Sequence, residues 1–438
     1  MMRGAVTVTH LSMLASVPFT TSSSADAAVT RIARRLFPHG ASRRELRTFA
    51  LLVLATIPFA YVNTLFTQTV SYAADEFGAS DAAIGLGAAI VRWGVVLAIP
   101  IAWAADRFGR RLVLVTLAWL APLSAALGAL APSFTWLVAS QTLARPLAVS
   151  INVLVGVIAA EEMSRESRAS TLGLLGIAAG FGAGLAVAAL PLADVAVGGW
   201  RWVYVIALVW CGVGVVLTRG LTETRRFVTQ HAQRRRALRR QLLDPRLLMQ
   251  LVAALLANVF IATASVFQVN YLRDVRDYSP LLVTIFTFVT ATPAAIGLVI
   301  GGRLADRRGR RVLAAVTLLI GTWMLTASFA VSGPAMWASA LLGGIGFGMA
   351  YPAFGVYRGE LFPTTDRSFS SGMITAASLI GGSIGLIVAG TSLDASRSYG
   401  EILALFAVGP TLVSLFVVRT FPETAHRELE EISDQTGR

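Results

Sequence analysis

Long apolar runs, separated by short polar segments, make up most of the chain. Each run is about 20 residues long and carries few charges, which suits an α-helix that crosses the hydrocarbon core of a bilayer. The runs lack the alternation of a membrane β-barrel, and only helices or closed barrels satisfy every backbone group in lipid. The pattern predicts an all-α membrane protein with twelve transmembrane helices. The predicted spans are 48–70, 82–104, 112–131, 134–158, 170–192, 200–219, 247–270, 280–303, 311–331, 334–357, 369–392 and 399–420.

Composition and charge agree with a membrane location. Apolar residues make up 55% of the chain and charged residues 14%, whereas a soluble domain carries about 25% charged residues. All 37 basic residues are arginines, concentrated before the first span and in the connector 220–246, while the loop after the first span is acidic. The positive-inside rule therefore predicts both termini and the connector in the cytoplasm, and we expect the multi-pass chain in the plasma membrane.

Three motifs recur at one spacing of about 200 residues. A constant spacing is the signature of an internal duplication, and secondary transporters are commonly built from such repeats. We therefore expect two pseudo-symmetric six-helix bundles. The motif pairs are Asp106 and Asp306, Glu161 to Arg168 and Glu360 to Arg367, and Leu221–Thr224 and Phe421–Thr424. The expected division is a cytoplasmic N-terminal tail at 1–47, an N-terminal half at 48–219, a basic connector at 220–246, a C-terminal half at 247–420 and a cytoplasmic C-terminal tail at 421–438.

The first repeated motif is the loop Asp-Arg-x-Gly-Arg-Arg, which joins the second span to the third and the eighth to the ninth. Its glycine permits a tight turn, and its aspartate can reach an arginine or the positive N-terminal end of a neighbouring helix. By repeat symmetry, Asp106 is expected near the start of the eleventh span and Asp306 near the start of the fifth. The alternative is that both loops serve only to anchor the topology.

This loop resembles the signature Gly-x-x-x-Asp-Arg-x-Gly-Arg-Arg of the major facilitator superfamily. The second copy fits from Gly302 onward, whereas the first has Ala102 in place of the first glycine. In that family the loop helps to lock one face of the transporter, so the resemblance implies a gating role for both copies. The residues concerned are Asp106, Arg107, Gly109, Arg110, Asp306, Arg307, Gly309 and Arg310.

The second motif is similar to the Glu-Leu-Phe-Pro-Thr-x-x-Arg loop of the sugar-porter, organic-ion and metabolite–proton symporter branches of that family. It begins at Glu360, and its first-half counterpart has Ser164 where the proline belongs. A network of surface ion pairs, each contributing about 0–1 kcal/mol, suits a gate that must also open. Independent solvated charges are the alternative. The gating residues that this motif adds are Glu161, Arg168, Glu360 and Arg367.

Two arginines, Arg92 and Arg145, lie near the middle of predicted spans. An arginine at the centre of a span costs about 2.5–3.5 kcal/mol on insertion scales, so it usually faces a cavity or a partner. No aspartate or glutamate lies mid-span, and two unpaired cations would suit an anionic substrate. The alternative is that both bond backbone carbonyls or snorkel, with Arg145 and Pro146 at a helix kink.

Polar side chains at helical spacing predict further cavity-lining residues. In the first span Tyr61 and Gln68 share a face with Asn63 beside it, and in the seventh span Gln250, Asn258, Ser265 and Gln268 form one stripe. The family resemblance adds Phe347 and Tyr351 from the tenth span. Bonds from helix to helix are the alternative for each residue. The predicted substrate-binding set is Arg92, Arg145, Tyr61, Asn63, Gln68, Gln141, Asn258, Gln268 and Tyr351.

These observations favour a transporter of a small organic solute that works by alternating access, with an organic anion or carboxylate metabolite ahead of a sugar. Efflux of amphiphilic compounds, and a non-transporting membrane sensor, are the alternatives. The resemblance implies a symporter, yet the first span has no aspartate and no span has a histidine, so the coupling ion stays open. No nucleophile, metal cluster or phosphate loop indicates an enzyme. We expect a monomer in lipid, with no cofactor, metal or nucleic-acid partner.

Overall fold

The computed structural model describes residues 42–163, 165–223, 245–360 and 367–420. Within these ranges the chain is helical and contains no β-strand, so the all-α prediction is confirmed for them. Every predicted span coincides with one helix or with consecutive short helices. Almost all of both predicted tails, and most of the predicted connector, lie outside the described residues.

Fifteen α-helices are described. Those of the N-terminal segment (residues 42–223) are α1 (Arg43–Phe77), α2 (Asp81–Trp93), α3 (Ala98–Phe108), α4 (Arg110–Ala126), α5 (Phe134–Glu162), α6 (Arg165–Ala188), α7 (Trp200–Val205) and α8 (Cys211–Gly220). Those of the C-terminal segment (residues 245–420) are α9 (Pro245–Asn270), α10 (Pro280–Ala291), α11 (Ala294–Arg308), α12 (Arg310–Ser328), α13 (Gly333–Glu360), α14 (Arg367–Asp394) and α15 (Tyr399–Thr420). Short 3₁₀ stretches lie at Gly94–Leu97, Leu127–Leu130, Leu190–Asp194 and Ile206–Trp210, and a π-turn lies at Tyr271–Val275.

Eleven helical stretches among the described residues are long and apolar enough to cross a membrane. The remaining long helix, α13, has 28 residues and is therefore about 42 Å long at 1.5 Å per residue. It is rich in glycine, which lowers its apolar character. Large apolar side chains such as Ile99, Ile177 and Val209 are exposed on the outer surface, as expected of residues that face lipid. The protein is an all-helical membrane protein.

Local sequence explains where several helices begin and turn. Ser42 Oγ accepts a hydrogen bond from the backbone N–H of Glu45, and the Glu45 carboxylate accepts one from the N–H of Ser42, so α1 starts with a capping box. Gly109 and Gly309 join α3 to α4 and α11 to α12 with φ of 105° and 98°. Residues that carry a Cβ rarely adopt such φ values. The turn therefore requires a glycine in each repeated loop.

The helices cross the molecule between two ends. We call the end that carries Arg43 and Thr420 the terminal end, because it holds the first and last described helix termini. We call the end that carries Phe77 and Asp394 the opposite end. Near the opposite end the two segments approach closely along α2 and α14. A Cβ at Gly85 would lie 2.2 Å from the carbonyl oxygen of Leu386, so backbone meets backbone there without a side chain between them.

The segments separate toward the terminal end. On α6, Gly184 lies against Phe288 of α10, whereas a Cβ at Gly180 or Gly176, one and two turns nearer the terminal end, would meet no described atom within 4 Å. Gly372 at the start of α14 is equally open. Gly176, Gly180 and Gly184 lie on one face of α6, since residues four apart share a face of a helix. The described structure is thus closed at the opposite end and open at the terminal end.

Candidate functional site

A pocket of about 690 Å³ lies among α9, α12, α13, α14 and α15 of the C-terminal segment. This volume is within the range of about 300–1,000 Å³ that is usual for small-molecule sites. The pocket lies on the inner side of the C-terminal segment, because two of its helices, α9 and α14, also contact the N-terminal segment.

The polar stripe predicted on the seventh span faces this pocket. Asn258, Ser265 and Gln268 of α9 all line it. Asn258 Nδ2 donates to the carbonyl oxygen of Ala254 at 3.1 Å, and Ser265 Oγ donates to that of Ala262 at 2.9 Å. Gln268 forms no hydrogen bond with another described residue, so its amide group is free to meet a ligand.

One wall of the pocket is aromatic. Phe347 of α13 lines it and stacks on Phe260, with ring centroids 6.2 Å apart and an interplanar angle of 24°. Tyr351, one turn further along, is 71% exposed and has no hydrogen bond within the described part of the chain. Phe354 continues the wall. Exposed rings of this kind offer flat apolar faces to a ligand.

The two mid-span arginines belong to neighbouring stretches of the N-terminal segment, where a Cβ at Gly94 would lie 2.5 Å from the carbonyl oxygen of Thr142. Arg92 is near the end of α2, and Arg145 is within α5 directly before Pro146. Both side chains are partly exposed and lie within electrostatic range of each other. Neither forms an ion pair or hydrogen bond with a described residue, and Arg145 Nε is buried without a partner. The alternative of bonds to backbone carbonyls therefore does not hold among the described residues.

Arg92 reaches across to the C-terminal segment. A Cβ placed on Gly382 of α14 would lie 3.4 Å from Nη1 of Arg92 and 3.7 Å from the carbonyl oxygen of Asn258. The atom nearest to that Cβ would be the Cβ of Ala262 at 3.0 Å, so α9 and α14 pack tightly there and Arg92 lies beside their contact. The neighbouring Ser383 has a buried hydroxyl with no hydrogen-bond partner in the described ranges.

Two other predicted residues, Asn63 and Gln68 of α1, each keep a buried amide oxygen without a partner. Both side chains are partly exposed, and neither Asn63 Oδ1 nor Gln68 Oε1 accepts a hydrogen bond from a described residue. Buried polar atoms usually find a partner. Since α1 contacts α9 of the other segment, these amides are available to a ligand or to water between the segments.

Tyr61 and Gln141 require a correction. Tyr61 is fully buried and its hydroxyl donates to the carbonyl oxygen of Val203 at 2.6 Å. Gln141 is also buried, and its amide nitrogen donates to the carbonyl oxygen of Ala125 at 3.2 Å. Both side chains therefore join helices within the N-terminal segment and do not line the pocket, which matches the helix-to-helix alternative.

A set of contacts that the sequence did not reveal joins the two segments at the opposite end. Asp75 of α1 forms an ion pair with Arg273, whose guanidinium lies 3.9 Å from the ring centroid of Tyr72. The backbone N–H of Ala82, in the first turn of α2, donates to Oδ1 of Asp394 at 3.2 Å. We call Asp75, Arg273, Ala82 and Asp394 the opposite-end latch. The charges at the span ends were its only signal in the sequence.

At the terminal end, the described ion pairs lie within the N-terminal segment. Arg110 pairs with Glu161 at 3.4 Å, and the Glu223 carboxylate accepts hydrogen bonds from the backbone N–H groups of Arg110 and Arg111 at 3.0 and 3.2 Å. A carboxylate at the start of a helix is favoured by the helix dipole. Glu223, from the third repeated motif, therefore caps α4, and Arg107 is exposed with its guanidinium 5.5 Å from the ring centroid of Trp103.

The remaining predicted gating side chains lie outside the described part of the structure, so their predicted contacts are not described either. This includes the expected approach of Asp106 to α14 and of Asp306 to α6. The side chains concerned are those of Asp106, Arg168, Asp306, Arg307, Arg310, Glu360 and Arg367.

The fold is similar to that of solved transporters. The inward open conformation of the xylose transporter XylE from E. coli aligns with a TM-score of 0.71 at 17% identity, covering 88% of this chain and 98% of XylE. A bacterial homolog of the human lysosomal transporter Spinster, in an inward-facing and occupied conformation, gives 0.66 at 19% identity, covering 86% and 95%. A mutant of the nucleoside transporter NupG gives 0.70 at 13% identity, covering 87% and 100%.

Sequence comparison identifies the family. No curated protein sequence matches the chain significantly. The family model described as Major Facilitator Superfamily matches residues 51–386 and 276–436, which together include most of the chain and both copies of the Asp-Arg-x-Gly-Arg-Arg loop. The chain is a member of the major facilitator superfamily and a transporter.

Proposed function

We propose that the protein carries a small organic anion across the plasma membrane by alternating access, with Arg92 and Arg145 as the anion-binding pair. One observation carries the proposal: the guanidinium groups of Arg92 and Arg145 lie within the membrane-spanning bundle, on two helices that pack together, and have no ion pair with any described residue. Uncompensated charges within a membrane-spanning bundle are costly. A substrate anion would supply the missing partner during each transport cycle.

The proposed cycle follows from the shape of the molecule and from its charges. The arginine-rich terminal end would face the cytoplasm by the positive-inside rule, so the described arrangement is inward-facing. The helices on either side of residues 224–244 would be two six-helix halves, with α13 as the twelfth span. Rocking of one half against the other would close the terminal end, where we propose that the two Asp-Arg-x-Gly-Arg-Arg loops act as gates.

Sugar transport is the second candidate. It is favoured by the amide groups of Asn258 and Gln268 in the pocket, since amides suit hydroxyl-rich ligands. This candidate leaves Arg92 and Arg145 without a role, which is why we place it second.

The test is binding to the purified full-length protein, measured by thermal shift with carboxylates, sugars and amines, because a selective ligand stabilises the folded state. We expect stabilisation by carboxylates, and Arg145→Gln to weaken their binding about tenfold or more, since hydrogen bonds to charged groups are the stronger class. Arg219→Gln is the matched control, because Arg219 is exposed at the end of α8. Stabilisation by sugars alone, or carboxylate binding that survives Arg145→Gln unchanged, would refute the proposal.

A further inference from the structure

The opposite end carries acidic residues on both sides of the contact between the segments. In the N-terminal segment, Asp75 lies in the last turns of α1 and Asp81 begins α2. In the C-terminal segment, Asp274 lies in the π-turn after α9 and Asp394 ends α14. Asp75 is paired with Arg273. The other three, which we call the acidic triad (Asp81, Asp274 and Asp394), form no ion pair with a described residue.

Close packing holds Asp81 against the C-terminal segment. A Cβ at Gly390 of α14 would lie 2.3 Å from the backbone carbonyl oxygen of Asp81. Asp394, one turn further along α14, accepts a hydrogen bond from the backbone N–H of Ala82 at 3.2 Å. The end of α14 therefore lies directly beside the first turn of α2. In this arrangement the carboxylates of Asp81 and Asp394 are within electrostatic range of each other.

Asp274 approaches the same place from the π-turn. Its neighbour Arg273 reaches across to Asp75, which brings the π-turn against the end of α1. The Asp274 carboxylate lies within electrostatic range of Asp75 and Asp81. Asp81 of the N-terminal segment therefore faces two carboxylates of the C-terminal segment. Neighbouring carboxylates repel one another when all are ionised, and uptake of a proton by one of them relieves that repulsion.

A buried hydroxyl group without a partner lies in the same region. Tyr72 of α1 is 8% exposed, and its hydroxyl group forms no hydrogen bond with a described residue, although buried hydroxyl groups usually find a partner. It is within electrostatic range of Asp75 and Asp274. A carboxyl group that carries a proton can donate to a hydroxyl group and accept from it, whereas a carboxylate can only accept. A protonated carboxyl group therefore suits this place better than a further negative charge.

The cations nearby do not neutralise the acidic triad. Arg273 is the one described cation within electrostatic range of Asp274, and it is already paired with Asp75. Its Nη1 is buried without a partner, so it does not bond to Asp274. Arg276 is directed to a hydroxyl group and a carbonyl group of its own segment. Arg397, in the loop after α14, is exposed and forms no ion pair among the described residues.

The groups around Asp274 leave a proton as the cation that the site can take. Among the described residues, no group of three histidine, cysteine, aspartate or glutamate side chains could hold a metal ion. Negative groups therefore outnumber positive ones where the segments meet. The titratable and charged groups that face Asp274 are Tyr72 and Asp75 of α1, Asp81 of α2, Arg273 of the π-turn and Tyr399 of α15, with Asp394 of α14 next to Asp81.

From this arrangement we infer that the acidic triad is a proton-binding site that controls the opposite-end latch. Closure of the opposite end takes up a proton from the solvent between Asp274 and Asp81, and opening releases it. Because the proton is bound in the closed arrangement, acid stabilises closure, and this stabilisation is lost as the pH rises. A link of one proton changes the ratio of closed to open molecules by up to about tenfold per pH unit. The site is separate from the arginine pair, so the inference does not depend on the proposed function.

Distances between spin labels at Leu130 and Ala330 test the inference in the full chain with Cys211→Ala. Both positions are exposed at the opposite end, one on each segment, and neither lies in an element that carries the triad. We expect the population with a long distance to grow about tenfold between about pH 5 and about pH 8, a range in which isolated aspartates are almost fully ionised. All four histidines lie outside the described residues. An unchanged distance distribution would overturn the inference.

Substitutions assign the pH response to the acidic triad. Asp274→Asn and Asp81→Asn imitate the protonated form, so each should keep the opposite end closed at about pH 8 and remove most of the pH response. Asp274→Glu should retain the response because it keeps the carboxyl group. Asp277→Asn is the matched control, since Asp277 is an exposed aspartate in the same loop, and it should behave like the unaltered protein.

Two results would contradict the proton site. One is a pH response that survives in both Asp274→Asn and Asp81→Asn. The other is closure at about pH 8 on addition of Na⁺ or Ca²⁺ that both variants lose, because the triad would then bind a metal ion. Since Asp274 is exposed, its substitution should not prevent folding, and the midpoint of thermal unfolding verifies this for each variant.

Discussion

Single residues show how closely backbone geometry is tied to the repeat. Gly109 and Gly309 are 200 residues apart, yet their ψ values of 144° and 148° match as closely as their φ values. A recurring sequence motif therefore corresponds to a recurring turn. The strain that any other residue would meet at this φ explains the glycine in physical terms.

Gly109→Ala and Gly309→Ala should each destabilise the protein by about 1–3 kcal/mol, the usual cost of a residue in a sparsely populated backbone region. The readout is the midpoint of thermal unfolding in detergent. Gly212→Ala is the control: Gly212 lies within α8 without a neighbour in the described structure, and alanine is favoured over glycine in a helix. Midpoints that fall by the same amount in all three variants would contradict a special role for the turn.

Residue identity alone did not predict which polar side chains face the pocket. Asn258, Ser265 and Gln268 of α9 repeat at helical spacing along one face and line the pocket, while substrate binding by them stays a prediction. Tyr61 and Gln141 also lie among apolar residues, yet they bond neighbouring helices. A single polar residue within an apolar span gives the same sequence pattern whether its side chain lines a pocket or bonds a neighbouring helix. Only the position of the adjacent helix distinguishes these two outcomes.

At the scale of helices, the sequence predicted existence and position well. The prediction 134–158 became Phe134–Glu162, and 399–420 became Tyr399–Thr420, because a bilayer requires a minimum apolar length. The interruptions were not predicted. The span 200–219 consists of two α-helices joined by the 3₁₀ stretch Ile206–Trp210, a change of hydrogen-bond register that apolar patterns do not encode.

The packing of α2 against α14 and of α6 against α10 should determine which end of the molecule is open. Gly85→Val would place side-chain atoms against the carbonyl of Leu386, and overpacking costs about 1–3 kcal/mol, so the opposite end should open. Gly176→Val should leave the described arrangement unchanged, because a Cβ there meets nothing, but should obstruct closure of the terminal end. Transport should fall in both variants.

Distances between spin labels distinguish these two effects. One label pair at Val197 and Ala395 reports the opposite end, and another at Phe108 and Gly372 reports the terminal end; all four positions are exposed. The labelled background requires Cys211→Ala, since Cys211 is the one cysteine of the chain. Gly85→Val should lengthen the distance between the labels at the opposite end. Gly176→Val should keep the distance between the labels at the terminal end long. Identical shifts in both variants, or any shift in Gly212→Val, would show that the glycines act only through general packing.

For the whole molecule, the sequence indicated two repeats and a gate at the terminal end but gave no pairing at the opposite end. Ion pairs between the two segments depend on how the two helical bundles pack against each other. The sequence of neither bundle alone determines that packing. Asp75 and Arg273 are 198 residues apart, and nothing local in either stretch requires the other. The acidic loop was informative for topology, whereas its role in joining the segments is visible only in three dimensions.

The opposite-end latch should control which end is open. A partly exposed ion pair contributes about 0–1 kcal/mol, but two transporter states commonly differ by only a few kcal/mol, so losing the pair can change their ratio up to about fivefold. Asp75→Asn should therefore increase the population with a long distance between labels at Val197 and Ala395. Asp277→Asn, which removes the same charge from an exposed residue at the same end, should not.

Charge exchange completes this test. Asp75→Arg and Arg273→Asp should each open the opposite end, because each places like charges together, and the double variant should close it again. Salt should weaken the latch in the unaltered protein, since exposed charges are screened with a Debye length of about 8 Å at physiological ionic strength. If the double variant stays as open as the single ones, the hydrogen bond between Asp394 and Ala82, rather than the ion pair, holds the segments together. Asp394→Asn, which retains an oxygen acceptor but loses the charge near the start of α2, would then be the variant that lengthens the distance.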